Sequence, residues 1–268
     1  ARRAERSMRG KRSVGPLAEG ESGSLSTKHP SLSLWWHVDE QAWYESTLLH
    51  WKTAVSAESD DGVLGGYGSI DSVDTEGSLE FLSTSRQFAG WHSGGSLPLP
   101  GTRALDCGAG VGRVSEGVLL KVCETVQLVE VSETLLAKAR ERLGTARCEY
   151  TAASLRDFEP QAGGFDVVWI QWILGHLTDT DVLGLLCRSR AALRDGGTIV
   201  VKENNALPSA CEQRGLYTLD EDNANVIRSH AHHLALFKRA GLKVQRFQLQ
   251  AGFPSELHAV RMYLLVPA

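Results

Sequence analysis

Asp106-Cys107-Gly108-Ala109-Gly110-Val111-Gly112 decides how this chain of 268 residues is read. Arg103 to Cys107 reads as a short buried strand, the glycines reverse the chain, and a helix follows to about Cys123. A strand, a tight glycine turn and a helix start bring backbone N–H groups and a positive helix end to an anionic or nucleotide ligand. A dinucleotide fingerprint, G-x-G-x-x-G, needs its third glycine at position 113. That position is Arg113, which argues against an NAD enzyme. Asp106, just before the turn, suits instead the cationic amino group and sulfonium of S-adenosylmethionine. Glu130 ends the next strand, where a carboxylate accepts from both ribose hydroxyls; the alternative is a surface carboxylate at a strand end. Arg113 either pairs with the methionine carboxylate or is a surface helix residue.

Outward from this turn, strand and helix alternate. Thr125 to Val131 is a β-branched strand, Glu133 to about Leu143 a helix, and Cys148 to Ala152 a third strand. Phe165 to Trp172 is mostly apolar, Asp179 to Leu193 is a helix ended by Asp195-Gly196-Gly197, and Thr198 to Lys202 is a strand. A helix from about Asn223 to Ala240 and strands near 244–249 and 259–266 close the chain. This rhythm predicts an α/β fold: a doubly wound, seven-stranded, mostly parallel sheet of the Rossmann-like class I methyltransferase type. His230, His232 and His233 lack partners at metal-ligand spacing and are expected on the helix surface; no metal site is expected.

Net charge is −4, which argues against a dedicated nucleic-acid binder. No apolar run approaches the roughly 20 residues of a membrane span. Five scattered cysteines without a C-x-x-C pair indicate neither a disulfide framework nor zinc, and fit a reducing compartment. Residues 1–34, with a basic cluster from Arg2 to Arg12 and a Gly/Ser/Pro-rich stretch, read as a disordered tail. A targeting presequence or nuclear signal is the alternative. Residues 35–268 form the catalytic domain: a helical lid or extension over 35–100 and a Rossmann-like core over 101–268. Trp36, Trp43 and Trp51, with Leu48, fall at seven- and eight-residue spacing on one face of a helix, or of two short helices, that docks on a core or covers a pocket. The glycine-rich run 62–68 is a hinge or a place of close backbone contact.

Four segments taken together, ALDCGAGVGR (104–113), VLGGYG (63–68), WIQWILGHLTD (169–179) and IVVKEN (199–204), resemble the eukaryotic protein α-N-terminal methyltransferases. That family methylates the free amino terminus of chains beginning Xaa-Pro-Lys/Arg, and the resemblance runs over roughly residues 40 to 265. It implies that Gly108, Gly110, Arg113, Glu130, Leu155 and Gln171 contact S-adenosylmethionine, with Asp106 beside them. Trp51 and the Leu64-Gly65-Gly66 segment would border the cofactor and peptide groove. Trp172 would pack on the substrate proline, Asn204 would bond the first peptide residues, and His176 would sit near the reacting nitrogen. Asp220 matches the first of two family loop acids; the second falls on Asn223, with Asp222 beside it. The resemblance further implies N-terminal peptides as partners, no nucleic acid or membrane partner, a monomer, and a cytoplasmic or nuclear location.

Methyl transfer needs a neutral amine. An α-amine of pKa about 8 is roughly a tenth neutral at pH 7, against a few parts in ten thousand for lysine. A histidine of ordinary pKa, about 6.5, suffices as the base. The competing readings are a small-molecule methyltransferase on the same fold, without peptide-reading acids, and a silent relative that binds peptide without methylating it.

Overall fold

The computed structural model describes residues 38–51, 59–83, 97–207, 217–220 and 224–268. The tail, Trp36, Asp222 and Asn223 lie outside them. Seven strands form one sheet in the order β3-β2-β1-β4-β5-β9-β8: β1 Leu99–Cys107, β2 Cys123–Glu130, β3 Cys148–Ala152, β4 Phe165–Gln171, β5 Leu193–Asn205, β8 Leu242–Leu249 and β9 Ala259–Pro267. Strands β1 to β5 pair in parallel, and β9 runs antiparallel to both β5 and β8. The helices are α1 Glu40–Leu49, α2 Asp71–Ser83, α3 Glu133–Leu143, α4 Asp179–Ala192 and α5 His230–Arg239.

The continuous apolar run in β4 follows from burial on both faces. Val168 and Ile170 point to one side, against Val182, Leu185, Leu236 and Phe237 of α4 and α5. Val167 and Trp169 point to the other, against Phe81 and Leu82 of α2 and Leu136 and Ala139 of α3. The N-terminal extension therefore does two jobs. Its helix α1 walls the cavity described below, and α2 completes one helical layer over the sheet.

Three sequence expectations are corrected. The helix expected from about Asn223 begins only at His230, where the Ser229 side chain accepts from the His232 N–H. Before it, β7 (Asn225–Arg228) pairs antiparallel with β6 (Tyr217–Asp220). Val226 and Ile227 are β-branched and both buried, so pairing with the strand just before them in the chain overrides the helical reading. The histidines were expected on a helix surface; His232 and His233 are instead buried. His232 Nε2 lies 3.1 Å from Asp179 Oδ2, and the His233 ring stacks on Phe237 at 5.9 Å. The segment after the glycine turn is a π-helical turn, Ser115–Leu119, then a short helical turn, Leu120–Val122. Cys123 already belongs to β2.

Candidate active site

A cavity of about 370 Å³ opens at the carboxyl ends of β1, β2 and β4, the side on which open α/β sheets bind ligands. The glycine turn forms its floor. Gly108, Gly110 and Gly112 have φ of +74°, +55° and +78°, the left-handed region that side chains disfavour. At Gly108 a Cβ would also lie 2.1 Å from Ile173 Cδ1. The turn is tied to β2, because the N–H groups of Gly108 and Ala109 both donate to the Val129 carbonyl.

Two buried carboxylates flank the turn. Asp106 accepts from the Ser115 hydroxyl at 2.7 Å, and burial raises its pKa to about 6. Glu130 accepts from the Gly110 N–H at 3.0 Å and the Ser132 N–H at 2.9 Å. Burial raises the Glu130 pKa as well, and these N–H groups oppose the shift. Val131, Leu135 and Leu155 add an apolar side. Acids at two points, a turn whose glycines carry no side chain into the cavity, and an apolar wall fit S-adenosylmethionine.

Arg113 and Gln171 line the same cavity. Arg113 is buried rather than on a helix surface, and its Nη1 donates to Asp71 at 2.7 Å and Asp74 at 2.8 Å. Only its remaining N–H groups are left for a ligand carboxylate.

Another wall is Trp172, Ile173, His176 and Leu177. Trp172 follows β4 with φ of +54°, a strained value for a bulky residue. The buried Glu203 carboxylate accepts the next two N–H groups, of Ile173 and Leu174, both at 2.6 Å. The buried Arg228 guanidinium donates to the Leu174 and Leu177 carbonyls and to Asp179. Side chains on β5 and β7 thus hold the loop that carries Trp172 and His176. The Trp172 indole N–H is buried without a partner among the described residues.

His176 lies 3.1 Å, through Nδ1, from the Ala224 carbonyl. A carbonyl only accepts, so Nδ1 carries the proton and Nε2 is left as a lone pair. Burial lowers the His176 pKa to about 4, which overturns the expectation of an ordinary histidine. Trp51 packs edge-on against the ring at 5.6 Å, and the Trp43 indole N–H donates to the His176 carbonyl at 2.9 Å. Helix α1 is held in turn by Tyr44, whose hydroxyl bonds Asp181, and by the Glu40–Arg156 ion pair.

Residues 39–266 match the model of the AdoMet-dependent proline di-methyltransferase family. The chain belongs to that family. It is 39% identical over 231 residues to N-terminal Xaa-Pro-Lys N-methyltransferase 1 of Danio rerio, covering 85% of this chain and 96% of the relative. It is 38% identical over 229 residues to alpha N-terminal protein methyltransferase 1 of Arabidopsis thaliana, covering 83% and 79%. Among solved structures, a SAM-dependent methyltransferase of Leishmania major superposes with a TM-score of 0.72 at 31% identity, covering 83% of this chain and 82% of that one. S-adenosylmethionine is accordingly the methyl donor, and the seven-stranded Rossmann-like fold is that of these enzymes.

The structure gathers most of the residues that the sequence singles out. Asp106, Gly108, Gly110, Arg113, Glu130, Leu155, Gln171, Trp51, Trp172 and His176 all line the one cavity. Leu64 and Gly65 do not; Leu64 is buried, Gly65 is exposed, and Val63 supplies the contact instead. Asn204 and Asp220 also stand off the cavity wall, half-buried on β5 and β6, although the Asp220 charge acts on His50. Sequence reasoning missed Tyr44 and Thr47, which fall on the cavity side of α1 with Trp51, as their helical spacing would have indicated. It also missed Asp74, Glu203 and Arg228, for which no local signal exists. Among the described residues no helix is long and apolar enough to cross a membrane, and no cluster of metal-ligating side chains occurs.

Proposed function

We propose that this chain methylates the α-amino group of polypeptides beginning Xaa-Pro-Lys or Xaa-Pro-Arg. The carrying observation is one cavity with two walls. One is a glycine turn with its acids; the other places Trp172 and a neutral His176 across from it. Bound in the cavity, S-adenosylmethionine supplies an electrophilic methyl group on a sulfonium. Gly108, Gly110, Glu130, Asp106, Leu155, Gln171, Arg113 and Trp51 line the cavity and would hold it.

The remaining work belongs to the peptide side. A proline ring stacks on the Trp172 indole, and its rigidity limits the entropy lost on ordering the peptide. The Nε2 lone pair of His176 accepts a hydrogen bond from the neutral amine and aims the nitrogen lone pair at the methyl group. The proton itself leaves to water before transfer, because burial makes His176 too weak a base to retain it. Asp220 and its acidic neighbours Glu221 and Asp222 attract the lysine or arginine at the third peptide position.

Mass spectrometry of a Ser-Pro-Lys-Arg peptide incubated with enzyme and S-adenosylmethionine tests this reading. Methylation is expected on the α-amine, with turnover lower by at least about fivefold for Ser-Ala-Lys-Arg or Ser-Pro-Glu-Arg, since stacking and charge pairing are each worth about 1 kcal/mol or more. Equal rates for all three peptides would favour a small-molecule methyltransferase, and no methylation of any amine would favour a silent peptide binder.

A further inference from the structure

Asp74 lies in α2, outside the cavity wall, yet its carboxylate touches two side chains that form that wall. Oδ2 lies 2.8 Å from Arg113 Nη1, and Gln171 Nε2 reaches both carboxylate oxygens at 3.1 and 3.0 Å. The Gln171 amide is fixed from its other end too, where Oε1 accepts from the Trp169 indole N–H at 2.9 Å. Asp74 Oδ1 is 2.6 Å from Lys202 Nζ, and both side chains are fully buried. Lys202 also donates to the Asp74 carbonyl, Ser78 Oγ and Gln250 Oε1, all within α2 or at the end of β8. Burial pushes the Asp74 carboxyl up, but Lys202 and Arg113 outweigh it and hold the pKa below the ordinary carboxylate value. The group is a carboxylate at working pH.

We propose that Asp74 is a positioning residue for the methyl donor. It holds Arg113 and Gln171 in the conformations that face the cavity and makes the docking of α2 a condition of cofactor binding. An arginine and a glutamine left free would each lose rotamer entropy when the ligand arrives. Tied to one carboxylate, they have lost it on folding. The proposal rests on the reading that Arg113 and Gln171 contact S-adenosylmethionine.

A purely structural role, as counter-ion to Lys202, makes a different forecast. Binding of S-adenosylhomocysteine by calorimetry and thermal unfolding of the ligand-free full chain separate the two. Asp74→Asn should weaken binding at least tenfold and lower the melting temperature, because a buried ammonium loses its partner. Adding Lys202→Met removes that ammonium. The double variant should melt near wild type and still bind at least tenfold more weakly, since the asparagine amide brings no charge to Arg113 and sets an N–H donor, in place of the second carboxylate oxygen, against Gln171 Nε2. Lys202→Met alone, which leaves Asp74 on both, should bind within about twofold of wild type. Recovery of binding along with melting in the double variant would overturn the proposal, as would equal weakening in Lys202→Met. Glu130→Ala separates failures: if it weakens binding while Asp74→Asn does not, the positioning role alone is refuted. If neither does, the placement of the cofactor falls and the proposal with it.

Discussion

Replacing His176 by asparagine asks whether this residue takes a proton or aligns the amine. Its Nδ1–H is committed to the Ala224 carbonyl, so Nε2 is the one nitrogen open to substrate, and burial lowers the pKa to about 4. The α-ammonium has a pKa of about 8. Transfer between them climbs roughly four units, about 5 kcal/mol, whereas release to water at pH 7 climbs roughly one unit, about 1.4 kcal/mol. The difference, near 4 kcal/mol, is roughly a thousandfold in the population that reacts. On the proposed function, His176 is therefore expected to work as a hydrogen-bond acceptor for an amine already neutral. His176→Asn should lower kcat/KM by roughly fivefold to thirtyfold, the range of one lost hydrogen bond of about 1–2 kcal/mol. Affinity for the cofactor should stay near wild type.

The assay is initial-rate methylation of a Ser-Pro-Lys-Arg peptide from pH 6 to 9. For both proteins kcat/KM should rise about tenfold per unit below pH 8 and level off above it, because the neutral peptide is the reactant. A base mechanism gives another shape: protonated peptide with neutral His176 would hold kcat/KM flat from pH 6 to 8 and let it fall above. That profile in the wild type, or a loss beyond about a thousandfold in His176→Asn, would refute the reasoning.

Two further outcomes follow from the buried groups. Glu130→Ala should weaken S-adenosylmethionine binding by about 1–3 kcal/mol in calorimetry, because charge-assisted bonds to the ligand and the tie to the Gly110 N–H go together; unchanged affinity would remove Glu130 from the site. His233 is buried, and desolvation holds its pKa well below 6.5. Below pH 6.5 the unfolded chain takes up a proton there that the folded one refuses, so stability is full above that pH and falls as pH drops through it, by up to about 1.4 kcal/mol per unit. Urea unfolding at pH 7 and pH 5 should show a smaller pH difference for His233→Phe than for wild type, and an identical difference would count against the assignment.

Sequence alone determined the sheet and its ligand turn. Apolar runs such as 165–171, three glycines after a strand and an acid at the next strand end are local patterns, and their physical cause, burial on both faces and backbone that must approach a ligand, acts within a few residues. Family-specific runs carried the residues expected on the peptide side, of which Trp172 and His176 reach the cavity while Leu64, Gly65 and Asn204 do not. Tertiary structure decided what surrounds the polar groups. Arg113 was legible as a site residue, but its partners Asp71 and Asp74 lie 42 and 39 positions away. Lys202 meets Ser78 across 124 positions. Helical spacing on 230–239 could not tell a solvated histidine from His232 against Asp179, nor could propensity foresee that 225–228 would pair with 217–220. The pKa of His176 depends on which chains close over it. Periodicity encodes which side of an element is covered, but the partner that satisfies a buried charge, and so sets its chemistry, comes from wherever the fold brings another strand or helix against it.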